Sequence, residues 1–90
     1  MRLHFHTGYD RFDAGRDHDV PANLVGALLG DFAEIPDDLC ADDVRREHDY
    51  GCIRRMARHV GIEDRTDNGR LIKKEKLKDL LLDHFDDGAG

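Results

Sequence analysis

The chain has 90 residues, with 20 acidic against 14 basic side chains, a formal charge of −6 and 39% hydrophobic residues. A chain this short is expected to form one small domain, 1–90, with a thin core, because it buries only about 60–65% of the surface its unfolded form exposes. It is too small for a barrel or a dinucleotide-binding sheet, it holds no Ser, Gln or Trp and so no serine nucleophile, and its longest apolar runs, such as Leu80–Leu82, fall far short of the ~20 residues of a membrane span.

Residues 2–7 alternate, with Leu3 and Phe5 on one side and His4 and His6 on the other, the pattern of a short, half-buried strand. Gly8 to Asp19 is rich in Gly and Asp and reads as a loop pinned by Tyr9 and Phe12. A first helix is predicted to begin near Pro21, which suits a first helical turn, with Leu24, Val25, Leu28, Leu29 and Phe32 as its apolar stripe. A second helix is predicted from Asp42 or Asp43 to about His59, weakened at Tyr50-Gly51, with Val44, Ile53, Met56, Ala57 and Val60 facing inward. Gly61 supplies its stop and Ile62 packs back on the preceding turn. The third helix runs from about Lys73 to Phe85, with Leu77, Leu80, Leu81 and Phe85 on its apolar face. Arg70-Leu71-Ile72 is extended, which lets residues 70–73 complete a two-stranded sheet with the N-terminal strand. The expected fold is therefore mainly α, a small single domain of three helices with a short N-terminal strand. Val25, Leu28, Leu29, Phe32, Ile53, Met56, Val60, Leu77, Leu80 and Leu81 are expected to form most of its core.

Charge is segregated along the chain. Residues 1–44 hold 3 basic and 10 acidic side chains, residues 45–78 hold 11 basic and 6 acidic, and residues 79–90 hold 4 acidic and none basic. The third helix also opposes its own dipole. Lys73, Lys74, Lys76 and Lys78 crowd its start, and Asp83, Asp86 and Asp87 its end, at a cost of about 0.3–1 kcal/mol for each misplaced charge at low salt. An anionic partner at the helix start would offset that cost, and a basic stretch between acidic flanks is the footprint of a polyanion-binding surface.

The run Cys-Ile-Arg-Arg-Met-Ala-Arg-His-Val-Gly-Ile from Cys52, a polar loop, and Lys-Lys-Glu-Lys-Leu-Lys-Asp-Leu-Leu from Lys73 resembles helix–extended loop–helix modules. SAP domains and the N-terminal domain of transcription-termination factor Rho are of this kind. Gly61, Ile62, Lys73, Lys74, Leu77 and Leu81 stand at the matching places. The resemblance, over residues 52–85, implies nucleic-acid binding through backbone contacts.

Other patterns share this region. Ala57 to Gly61 fits the turn of a helix-turn-helix with Thr66 opening the next helix. Asp64, Thr66, Asn68 and Glu75, with Gly69 at the sharp bend, fall at calcium-loop positions of a degenerate EF-hand over 64–75. Cys40, His48, Cys52 and His59 carry zinc-ligand chemistry at an unfamiliar spacing, and His48 and Cys52, four apart on a helix, could form a thiolate–imidazolium pair.

The expected function is a non-enzymatic binding module without a cofactor. It engages DNA or RNA phosphates through Arg54, Arg55, Arg58, Lys73, Lys74 and Lys76. An alternative from a different class is a small acidic regulator, of the immunity-protein, antitoxin or inhibitor kind. It would face a basic protein partner with Asp10, Asp13, Asp17, Asp19, Asp37 and Asp38. The calcium set Asp64, Thr66, Asn68 and Glu75 is a third. The opening Met-Arg-Leu-His-Phe-His has no apolar signal core, and two cysteines without one fit a reducing compartment, so a cytoplasmic location without membrane contact is expected.

Overall fold

The alternation at the N-terminus builds the centre of a sheet. Strand β1, Arg2–Phe5, buries Leu3 and Phe5 completely and turns Arg2 and His4 outward. This computed structural model describes residues 1–89, with side chains as far as Asp86; of the expected acidic C-terminal segment, the Asp87 side chain and Gly90 lie outside that description. The chain divides into two compact units, Met1–Leu39 and Cys40–Gly90.

In the first unit β1 is flanked on both sides by antiparallel partners. Strand β2 is Asp17–Asp19, with Arg2 opposite Asp19 and His4 opposite Asp17. Strand β3 is Ala33–Glu34, with Phe5 opposite Ala33. Between them Pro21 caps helix α1, Ala22–Leu28, which buries Val25 and Leu28. The helix stops short of the apolar stripe that its sequence continues. Leu29 becomes extended, and Gly30, at φ +100°, turns the chain so that its N–H reaches Ala33 O. Leu29 and Phe32 are half-buried in consequence. Phe5 stacks on Phe12 at 5.0 Å and His18 meets both rings edge-on, with Val20, Ile35 and Leu39 completing this core.

The second unit holds three helices: α2, Ala41–Arg46; α3, Tyr50–His59; and α4, Lys74–Ala89. Helices α2 and α3 both pack on α4. Val44, Ile53, Met56, Leu77 and Leu81 are fully buried, while Val60 and Leu80 are half-buried. Gly61, at φ +88°, ends α3 as expected, and Ile62 N–H returns to Ala57 O at 2.8 Å.

Two expectations need correction. Among the described residues there are four helices and a three-stranded antiparallel sheet, rather than three helices and a two-stranded sheet. The single helix expected over 42–59 is two helices, because Val44 and Ile53 are nine residues, or two and a half turns, apart. One continuous helix would put them on opposite faces, and both must be buried. The break falls at Glu47–Asp49, where the Asp49 side chain caps α3 by accepting from Cys52 N–H at 3.0 Å. Residues 70–73 do not join β1, because the chain there folds back on itself. Ile72 N–H donates to Asp64 O and Thr66 N–H to Arg70 O, with Arg65 bridged to Leu71.

The break also accounts for two of the lysines that oppose the α4 dipole. Lys78 Nζ donates to Arg45 O at 3.1 Å and to Glu47 O at 2.9 Å, and Lys74 Nζ donates to His48 O at 3.3 Å. A helix end leaves carbonyl groups without partners, and these ammonium groups supply them. Lys78→Met keeps the aliphatic stem and removes the donor, so it should destabilise the chain by about 1–3 kcal/mol in urea unfolding. Lys76→Met, which loses no such bond, should change stability by less than about 0.5 kcal/mol. Equal effects of the two variants would mean that general charge, rather than carbonyl capping, is what Lys78 contributes.

Candidate functional site

Helix α3 exposes one stripe on which Arg54 and Arg58 are a single turn apart, so two like charges stand side by side. A shared carboxylate makes this tolerable. Asp64 Oδ2 accepts from Arg54 Nε at 2.9 Å and from Arg58 Nε and Nη2 at 3.2 and 3.0 Å. The hydrogen bond from Arg54, followed by that from Arg58, holds the Asp64 carboxyl below the ordinary carboxylate value. One carboxylate set against two guanidinium groups leaves a positive charge over.

Asp64 opens a tight hairpin. Thr66 O accepts from Gly69 N–H at 2.9 Å, and Gly69 lies at φ +80°. The arrangement is a turn through Asp67 and Asn68 followed by a left-handed glycine. Arg65 Nη1 donates to Gly69 O at 2.8 Å across it. Both ends of the hairpin are fixed to α3. Asp64 is held by the two arginines, and Ile72 O accepts from the Tyr50 hydroxyl. The Tyr50 ring in turn lies 5.9 Å from the Arg54 guanidinium carbon. Lys73 follows Ile72 directly, so the hairpin segment that carries Arg65, Arg70 and Lys73 is held at both ends to the helix that carries Arg54 and Arg58. Beside it is an open hollow of about 440 Å³, lined by Arg58, Gly61, Ile62, Glu63, Asp64 and Arg65.

The residues expected to contact phosphate thus divide. Arg54 and Arg58 converge on Asp64, Lys74 is turned to His48 O, and Arg55, Lys73 and Lys76 make no ion pair among the described residues. Arg65, Arg70 and Tyr50 were not singled out by the sequence. An aromatic residue four positions before Arg54 was the available signal for Tyr50. For the hairpin it was Asp67-Asn68-Gly69 with an arginine on either side.

The acids proposed for a basic partner also divide. Asp17 binds Arg2 and His4, each at 2.7 Å, while Asp38 binds Arg2 and Asp19 binds the Met1 amino group. Asp10, Asp13 and Asp37 make no ion pair among the described residues. The calcium set does not assemble. Asp64 is taken by arginines, and among the described residues no three His, Cys, Asp or Glu side chains gather as a metal site, which also bears on Cys40, His48, Cys52 and His59. Thr66 and Asn68 form the turn, and Glu75 lies exposed in the first turn of α4. No recognition helix begins at Thr66, since the next helix after α3 starts at Lys74. Burial, with Glu47 and Asp49 adding to it, pushes the Cys52 thiol up to about 12 and keeps it protonated at neutral pH.

No protein family, curated protein or solved structure matches the chain. Among the described residues no helix is long and apolar enough to cross a membrane.

Two measurements check this chemistry. A carboxyl held below its ordinary value of 3.8 gives stability that is complete above that value and is lost as the pH falls through the lower folded value. The stability difference between wild type and Asp64→Asn should therefore be steady near neutral pH and should shrink below about pH 4 in urea unfolding. A difference that grows on acidification would mean the ion pairs are not what Asp64 contributes. With iodoacetamide at mildly alkaline pH, exposed Cys40 should be alkylated in the native chain and Cys52 only after unfolding. Labelling of native Cys52 at the rate of Cys40 would contradict its burial.

Proposed function

We propose that this protein is a non-enzymatic module whose second unit binds nucleic acid, DNA or RNA, through phosphate contacts. The observation that carries the reading is the hairpin anchored at both ends to α3, where Arg54 and Arg58 share the single carboxylate of Asp64 and leave one positive charge over. Arg54 and Arg58 would present their remaining guanidinium N–H groups, with Arg55, Arg65, Arg70 and Lys73 around them and Lys76 at the margin. Arginine is suited to this role because its planar fork holds a carboxylate through one edge and leaves other donors directed outward. Lys74 leaves the contact set, since its ammonium is used inside the unit. The resemblance of residues 52–85 to helix–extended loop–helix modules points to the same ligand class.

A ligand held through its backbone releases counterions, so affinity must fall as salt rises. Titration with a labelled oligonucleotide, single- or double-stranded, should give a negative log–log salt slope. Arg58→Ala and Lys73→Ala should each flatten it by about 0.7–0.9 while weakening binding on all sequences alike. Reversal of Asp10, Asp13 and Asp37 to Lys should leave binding intact or strengthen it. Absence of binding at low salt, or binding without a salt slope, would end this reading. Capture of a basic protein that is lost on reversing those three acids would favour the regulator alternative instead.

A further inference from the structure

The hairpin tip carries a chemical feature that phosphate binding does not use. Asn68 is exposed and is followed by Gly69, which has no side chain to hinder approach of its backbone nitrogen to the asparagine amide. We propose that Asn68 is a site of spontaneous deamidation, and that the hairpin turn gates it.

The reaction needs no co-reactant beyond water and a base. The Gly69 amide nitrogen, having given up its proton, attacks Asn68 Cγ and forms a new N–Cγ bond. The Cγ–Nδ2 bond breaks and the side-chain nitrogen leaves as ammonia, which closes a five-membered imide. Water then opens the imide at either carbonyl, leaving aspartate or isoaspartate at position 68. In the folded hairpin the nucleophile is not available. Gly69 N–H donates to Thr66 O at 2.9 Å, while the Arg65 guanidinium holds Gly69 O at 2.8 Å. The nitrogen can turn toward Asn68 Cγ only when that turn opens. The observed rate is therefore the rate of the open chain multiplied by the fraction of time the turn is open.

The product alters the neighbourhood in two ways. Residues 63–73 hold three basic and three acidic side chains, so one further carboxylate makes the segment acidic. Isoaspartate also adds a backbone methylene at the tip, which breaks the register between Thr66 and Arg70. The new charge would weaken binding of a polyanion. That consequence rests on the proposed phosphate contact, whereas the chemistry does not.

The test uses the full chain in mildly alkaline buffer, with peptide mass mapping and anion exchange following conversion in native and urea-unfolded protein. Conversion should concentrate at Asn68, with Asn23, followed by the bulky Leu24, as internal reference, and should run about tenfold or more faster in the unfolded chain. In urea, Gly69→Ala should slow it. Equal rates in the native and unfolded states would overturn the gate, and no preference for Asn68 over Asn23 in the unfolded chain would overturn the site. Asn68→Asp, titrated with the same oligonucleotide, should bind more weakly than wild type, and equal binding would remove the consequence. A wild-type chain that binds no oligonucleotide removes that consequence together with the phosphate reading and leaves the deamidation rates standing.

Discussion

An ammonium group from one helix closing the open end of another is the contact on which the second unit depends. Helix α2 has to stop after Arg46 for Val44 and Ile53 both to be buried, and stopping leaves the carbonyl groups of Arg45, Glu47 and His48 without helical partners. Lys74 and Lys78, one turn apart on α4, meet those groups while Leu77 and Leu81 between and beyond them enter the core. The two lysines are thus misplaced for their own helix dipole and correctly placed for the end of a neighbour. The dipole cost of about 0.3–1 kcal/mol each is smaller than the roughly 1.5–3 kcal/mol of a hydrogen bond to a charged group.

Once α3 is set against α4 in this way, the remaining ties follow as a circuit. Arg54 and Arg58 project from α3 to Asp64, Tyr50 projects from its first turn to Ile72, and the chain passes from Ile72 into α4. A hairpin of a few hydrogen bonds would not persist alone in water. Here both of its ends are held by one rigid helix, so the entropy of closing the loop is largely offset by contacts outside it. The tip receives no such support beyond its own turn and the Arg65 contact, which is why opening is expected there before it is expected at the base.

The parts that were legible in the sequence are those governed by one local rule. The Leu77–Leu81 stripe, the Gly61 stop and the alternation of Leu3 and Phe5 each follow from helical or strand period and appear where expected. The break at Glu47–Asp49 was also written there, in the nine-residue spacing of Val44 and Ile53 and in an aspartate placed to cap. A run of charged residues on either side hid it. Strands β2 and β3 were illegible for a different reason. Asp17-His18-Asp19 and Ala33-Glu34 have poor strand propensity and exist as strands only because β1 supplies both with partners. Asp64 was readable as an acid following a basic helix end. Its spacing to Thr66, Asn68 and Glu75 suggested a metal because spacing carries no information about which cation answers a carboxylate.

The second unit as a whole is nearly neutral, with 11 basic and 12 acidic residues in Cys40–Gly90, and neutrality taken alone argues against a polyanionic ligand. Distance decides otherwise. Along α4 the rise of about 1.5 Å per residue places Asp86 about 15 Å from Lys76, beyond the screening length of about 8 Å at physiological salt. Acids at that end of the helix therefore do little to the field at its start. Asp79, three residues from Lys76, lies on the same side of the helix and weakens its field without an ion pair. The uncancelled charge lies instead where Arg54 and Arg58 share one carboxylate and Lys73 follows the hairpin. A phosphate should be drawn to the junction of α3 and the hairpin base, with the flank of α4 contributing least.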